Sequence, residues 1–107
     1  MEIKFQKEYL SDLYQGIVNP YKEYKSNPQL VKQYIKTINT LKSVTRIEQL
    51  YQIKSLQYEK KEGNLRGVSA VYVNKQYRIL FSEIATTSNS LIIDVLEIED
   101  LSKHYEN

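Results

Sequence analysis

Hydrophobic and polar positions follow a helical period through the first half of the chain and a twofold period through the second. Ile3 and Phe5 alternate with Glu2, Lys4 and Gln6, the mark of a short half-buried strand. From Lys7 to about Gln15, Tyr9, Leu10, Leu13 and Tyr14 return at helical spacing, and Gly16 followed by Asn19-Pro20 supplies the stop. Asn27-Pro28 opens a stronger helix, because Asn can cap the free amides of a first turn and Pro needs no hydrogen bond there. Leu30, Val31, Tyr34, Ile35, Ile38 and Leu41 then fall on one stripe, with Lys32, Lys36 and Lys42 off it. Such a stripe requires a sheet to bury against. Thr45 and Glu48 have the spacing of a capping box, so Ile47, Leu50, Tyr51 and Ile53 predict a second, shorter helix after a bend at Ser43 to Thr45.

Past the polar stretch Glu59 to Asn64, strands take over. Val71 and Val73 alternate with Ala70 and Tyr72, and Tyr77, Ile79 and Phe81 alternate with Arg78, Leu80 and Ser82. Asn74-Lys75 between them predicts a two-residue hairpin turn. Residues 85–90 are polar and predict a loop, Leu91 to Ile98 a last strand, and Leu101 to Tyr105 a closing helical turn. The order strand, helix, helix, three antiparallel strands predicts one domain over residues 1–107. Its class is α+β, a small antiparallel-rich twisted sheet with two to three helices on one face and the other face available.

Composition narrows the chemistry. At 107 residues a two-layer core forms without staples. The absence of cysteine excludes disulfides, thiol catalysis and thiolate metal sites, and His104 alone cannot build a multi-histidine centre. No apolar run approaches the roughly 20 residues that span a bilayer, and the start MEIKFQKEYL lacks a signal-peptide core, so the expected location is the cytoplasm. The net charge of +2 is uninformative, but its distribution is not. Basic residues dominate from Lys22 to Arg78, whereas from Ile79 onward Lys103 stands against Glu83, Asp94, Glu97, Glu99, Asp100 and Glu106. A basic face for phosphate and ordinary solvated helix faces both account for this. Ten tyrosines offer stacking platforms for bases, although codon bias in an AT-rich genome explains them equally.

The chain has no Gly-rich phosphate loop, HExxH, GxSxG or Asp-rich metal loop. What remains is a cluster suited to chemistry on RNA: Lys54, Lys60, Lys61, Arg66 and Arg78 around the hairpin, with Asp100, His104 and Tyr105 after the last strand. Arg78, mid-strand between Tyr77 and Ile79, demands a partner. Either Asp94 or Glu97 pairs it structurally, or it faces the open side and takes a phosphate. Lys60, Lys61 and Arg66 are RNA contacts or solvated loop cations. His104 has the side chain whose ordinary pKa, about 6.5, suits proton transfer near neutrality; it is that or a tail histidine. Tyr105 is a base-stacking ring or a plug for the tail, and Asp100 a proton-handling group or the N-cap of the final turn.

The run GNLRGVSAVYVNKQYRILFSE resembles the hairpin of RelE/HigB-type toxins of bacterial toxin–antitoxin pairs. There a Gly-rich basic loop leads to a strand, an Asn-containing turn and a Tyr-Arg-aliphatic-aliphatic-Phe strand; the matching residues are Gly63, Arg66, Gly67, Asn74, Tyr77, Arg78, Ile79 and Phe81. The closing segment IIDVLEIEDLSKHYEN is similar to the last strand of that family and its Asp followed by His or Tyr. The resemblance implies a metal-independent endoribonuclease without cofactor that cleaves messenger RNA, typically on the ribosome, and is neutralised by an antitoxin, here expected to be a HigA-like helix-turn-helix protein. It further implies that Arg78 stabilises phosphoryl charge, that Arg66, Lys60 or Lys61 and Lys54 hold the RNA backbone, and that His104 with Asp100 handles protons, Tyr105 stacking or sharing that work. The sequence departs from the pattern at Tyr72, where relatives often carry Arg, and in the wider spacing from Asp100 to His104. A superfamily cousin, the ParE type, uses the fold to inhibit DNA gyrase, and a degenerate toxin would survive as a binding partner of its antitoxin.

Overall fold

The computed structural model describes residues 1–65 and 67–103. Among these, one mixed sheet has the order β1-β5-β4-β3-β2, formed by β1 (Glu2–Phe5), β2 (Glu59–Lys60), β3 (Val68–Tyr72), β4 (Tyr77–Ile84) and β5 (Val95–Lys103). β1 runs parallel to β5 and the other neighbours are antiparallel. The helices are α1 (Glu8–Tyr14), the single turn α2 (Lys22–Lys25) and α3 (Pro28–Ser43), with 3-10 segments at Ile47–Gln52, Lys54–Leu56 and Gly63–Leu65.

The long helix forms where the pattern places it. The Asn27 side chain accepts from the Leu30 amide at 3.3 Å, Pro28 fills the first position, and Leu30, Val31, Tyr34, Ile38 and Leu41 are buried. They meet Leu10 and Leu13 of α1 and Ile79, Phe81, Leu96 and Ile98 of the sheet in one core. Tyr34 brings a polar atom into that core, and its hydroxyl donates to the Leu10 carbonyl at 2.7 Å, tying α3 to α1.

Several boundaries differ from the expected ones for physical reasons. The segment from Ile47 is 3-10 rather than α-helical, and Gln49, not Glu48, closes its start by accepting from the amides of Thr45 at 2.8 Å and Arg46 at 3.2 Å. Within the polar stretch, Glu59 and Lys60 form the edge strand β2 against Ala70 and Ser69. The hairpin turn has three residues, Asn74 to Gln76: Val73 donates to the Tyr77 carbonyl at 3.1 Å, and the Asn74 side chain accepts from the amides of Gln76 and Tyr77, each at 2.9 Å. The last strand begins at Val95, since Leu91 and Ile92 are exposed, and continues through Lys103. Leu101 to Lys103 are therefore strand where a helical turn was expected, and Asp100 caps no helix. Tyr105 lies outside the described residues.

The β4–β5 ladder carries a bulge. Phe81 pairs with Ile98 but Leu80 pairs with Asp100, so Glu99 is the extra residue. The bulge lets β5 keep Ile98 and Leu101 both buried although they are three apart.

Candidate functional site

Alternation on β4 buries Tyr77, Ile79 and Phe81 and turns Arg78, Leu80 and Ser82 to the uncovered face of the sheet. Register carries the same assignment across neighbours. Tyr72 is opposite Arg78, Ala70 opposite Leu80, and Glu59 opposite Ala70. On the other side Ser102 is opposite Arg78, and Ser82 donates to the Glu99 carboxylate.

Arg78 is half-buried on this face, and neither Asp94 nor Glu97 pairs it. One guanidinium nitrogen instead donates to the backbone carbonyls of Asn74 at 2.8 Å and Tyr77 at 3.1 Å. The Tyr72 ring lies under the guanidinium, 4.7 Å from its carbon. Among the described residues no carboxylate neutralises it, so the cation is oriented by neutral groups and keeps its charge. Asn74 links this arrangement to the helical layer, since its side-chain amide donates to Gln33 of α3 at 2.8 Å while its carbonyl holds Arg78. Asp94 binds the amide of Thr86 at 2.8 Å as well as its hydroxyl, bonds that hold its carboxyl below the ordinary carboxylate value.

The two lysines of the basic stretch part company at β2. Lys61 sits beside Glu59, with 2.6 Å between its Nζ and a carboxylate oxygen. Lys60 turns to the face of Ser69, where its Nζ is 3.7 Å from Glu83. Glu83, only 12% exposed in its side chain, also accepts from Ser69 at 2.5 Å and from Tyr58, whose hydroxyl is pushed well above its ordinary pKa by burial and by that carboxylate. A cavity of about 630 Å3 lies here, lined by both Lys60 and Lys61 and by Glu62, Gly63, Gly67, Ser69 and Glu83.

Asp100 is engaged elsewhere. The Leu101 amide points out of the edge of β5 away from β4 and donates to the Tyr9 hydroxyl at 3.0 Å; that hydroxyl donates to Asp100, and Lys7 stands 3.7 Å away. Burial and this carboxylate raise the Tyr9 pKa far above the ordinary tyrosine value. Lys54 is exposed in the 3-10 turn before β2. Arg66, His104 and Tyr105 lie outside the described residues. The structure thus groups Arg78, Lys61 and the unforeseen Glu59 and Tyr72 on one face and turns Lys60 to the other, while Asp100, opposite Leu80 on the Arg78 face, is bound to Tyr9 and stands beside Lys7. Glu59 had no readable signal, because a two-residue strand shows no alternation. Among the described residues no group of three His, Cys, Asp or Glu side chains is placed to hold a metal ion, and no helix is long and apolar enough to cross a membrane.

No protein-family model matches the sequence, and no curated protein matches it at a significant level. Solved structures do match over nearly the whole chain. The YoeB/ParE toxin from Agrobacterium tumefaciens has a TM-score of 0.55 at 16% identity, covering 98% of this chain and 100% of its own. YafQ from E. coli strain BL21(DE3) has 0.54 at 11%, covering 95% and 91%. YoeB from Staphylococcus aureus, at 19% identity and 98% of both chains, matches as a dimer with 0.53 and in its complex with YefM with 0.50. The chain therefore has the fold of these toxins, the RelE/ParE-type architecture, and these neighbours are of YoeB, ParE and YafQ type rather than HigB.

Proposed function

We propose that this chain is the toxin of a type II toxin–antitoxin pair, a metal-independent endoribonuclease that cleaves messenger RNA on the ribosome. The observation that carries the proposal is Arg78, a cation held by two backbone carbonyls and a tyrosine ring on an open sheet face, with no described carboxylate to neutralise it. An arginine so oriented suits a phosphodiester better than a structural ion pair does.

In the proposed reaction a base takes the proton of a ribose 2′-hydroxyl, the oxygen attacks the adjacent phosphorus, and the bond to the 5′-oxygen breaks. That oxygen leaves with a proton from an acid, giving a cyclic phosphate and a new 5′-hydroxyl end. Arg78 stabilises the charge that builds on the phosphoryl oxygens, and Lys61 with Arg66 and Lys54 tracks the backbone. Glu59 is the carboxylate of the β2 edge on the Arg78 face. It stands two strands away, roughly 12 Å between Cα atoms by ordinary strand spacing, within joint reach of one phosphodiester for two long side chains, and serves as the base. His104 follows Ser102, the residue opposite Arg78, by two positions and serves as the acid, with Tyr105 beside it. Asp100, bound to Tyr9 and Lys7, is left a positioning role.

An antitoxin is the proposed partner, a HigA-like helix-turn-helix protein or another type; the S. aureus neighbour is found in complex with YefM. Inducing the chain alone should stop growth and create new 5′ ends within translated messages, and Arg78→Ala should abolish both while its melting transition stays intact. Toxicity with intact messages and altered plasmid topology would replace the nuclease with the gyrase inhibitor that the ParE part of one neighbour's name brings into view. A nontoxic chain that still binds its antitoxin tightly would make it a degenerate binding partner.

A further inference from the structure

Tyr72 has two neighbours of different kinds. On the open face the Arg78 guanidinium stacks on its ring at 4.7 Å. Beyond it, Tyr72 and Val73 line a cavity of about 210 Å3 closed by Leu56 and by Gln33, Lys36 and Thr37 of α3. The tyrosine is half-buried, and its hydroxyl makes no hydrogen bond among the described residues, so it is not held as a structural donor. Leu56 and Val73 of the lining are buried, Gln33 and Thr37 add amide and hydroxyl groups, and Lys36 contributes an exposed cation. A ring stacked on one cation, beside a cleft that offers a second cation, buried apolar side chains and amide and hydroxyl groups, suits a nucleobase flanked by phosphates.

We infer that Tyr72 and this cavity form a nucleobase subsite, in which the base next to the phosphate held by Arg78 stacks on the Tyr72 ring and the following phosphate meets Lys36. The inference rests on the proposed RNA chemistry and extends it. Single-stranded RNA runs from Arg78 across Tyr72 into the groove between α3 and the Lys54–Leu56 turn. Tyr72 thereby has two tasks, orienting Arg78 and seating a base. Because stacking is tolerant of sequence while the cleft walls offer Gln33 and Thr37, the subsite selects for an unpaired base first and for its identity second.

The chain contains no tryptophan, so Tyr72→Trp introduces a single indole reporter that preserves a ring at this position. The probe is a short 2′-O-methyl oligoribonucleotide, which cannot be cleaved by 2′-hydroxyl attack, alongside its abasic counterpart of equal length. Binding is followed by anisotropy of an end label and stacking by indole emission. The expected result is quenching by the base-bearing strand and not by the abasic one, with Tyr72→Ala weakening binding of both strands through the loosened Arg78 but of the base-bearing strand by a further factor of roughly 5 to 150. If both strands bind but neither quenches the indole of Tyr72→Trp, or both quench it alike, the subsite is overturned and the nuclease proposal is untouched. If neither strand binds the wild-type chain, the RNA premise fails and the subsite with it. Circular dichroism and melting of each variant separate loss of binding from loss of fold.

Discussion

Arg78 is held on the open sheet face by neutral partners alone among the described residues. Two carbonyls and a ring orient its guanidinium while leaving the remaining N–H groups free of any described carboxylate, so the arrangement costs no neutralisation. The residue that makes this possible is Asn74. Its side chain closes the turn onto the amides of Gln76 and Tyr77 and reaches Gln33, and its carbonyl receives Arg78. Asn74→Ala removes the side-chain bonds and keeps the carbonyl, so it should lower stability by about 1–2 kcal/mol, the worth of one or two hydrogen bonds, and reduce cleavage by more than Lys75→Ala does. Melting curves and cleavage rates for the two variants check this. That Arg78 needs partners was legible from an arginine in an apolar strand, yet the partners themselves were not, because backbone carbonyls leave no trace in side-chain sequence. Of the two readings open for Asp100, the cap fails because Leu101 to Lys103 are strand, and its neighbours Tyr9 and Lys7 were not readable because they come from the other end of the chain.

Elements were legible in proportion to their length and periodicity. α3 carries a complete stripe, a capping Asn and a first-turn Pro, and all three signals agree. Ile38, fully buried at the centre of that stripe, should tolerate truncation poorly. Ile38→Ala is expected to cost about 2–5 kcal/mol, measurable as a shift of the denaturation midpoint, whereas Lys36→Ala on the exposed side should leave stability within about 0.5 kcal/mol. β2 was invisible because two residues cannot show a period, and the start of β5 was placed early because Leu91 and Ile92 are apolar but exposed. The far end of β5 was hidden by the bulge at Glu99, which shifts the alternation so that Ile98 and Leu101 read as a helical pair. These irregular elements are the ones that shape the candidate site: β2 brings Glu59 and Lys61, and the end of β5 brings Ser102 opposite Arg78.

At the scale of the whole molecule, tyrosines link the layers and make stability sensitive to alkali. Burial raises the pKa of Tyr24 to about 12 and carries those of Tyr34, Tyr9 and Tyr58 higher still, the last two with help from neighbouring carboxylates. Each of these groups has a folded value above its ordinary value of 10.0. Their contribution is therefore complete below about pH 10 and is lost as pH rises toward the folded values. Tyrosinate absorbance in an alkaline titration should rise together with loss of circular dichroism, and independent titration of these tyrosines without unfolding would contradict that coupling. The layered fold that these residues hold together leaves one sheet face open, and the proposed messenger-RNA cleavage depends on Arg78 of that face. The most direct test is to map RNA 5′ ends after inducing the wild-type chain and Arg78→Ala without an antitoxin. New ends inside translated messages for the wild type, and none for a folded Arg78→Ala, are the expected result; growth arrest with unchanged 5′ ends, or equal cleavage by both proteins, would contradict it.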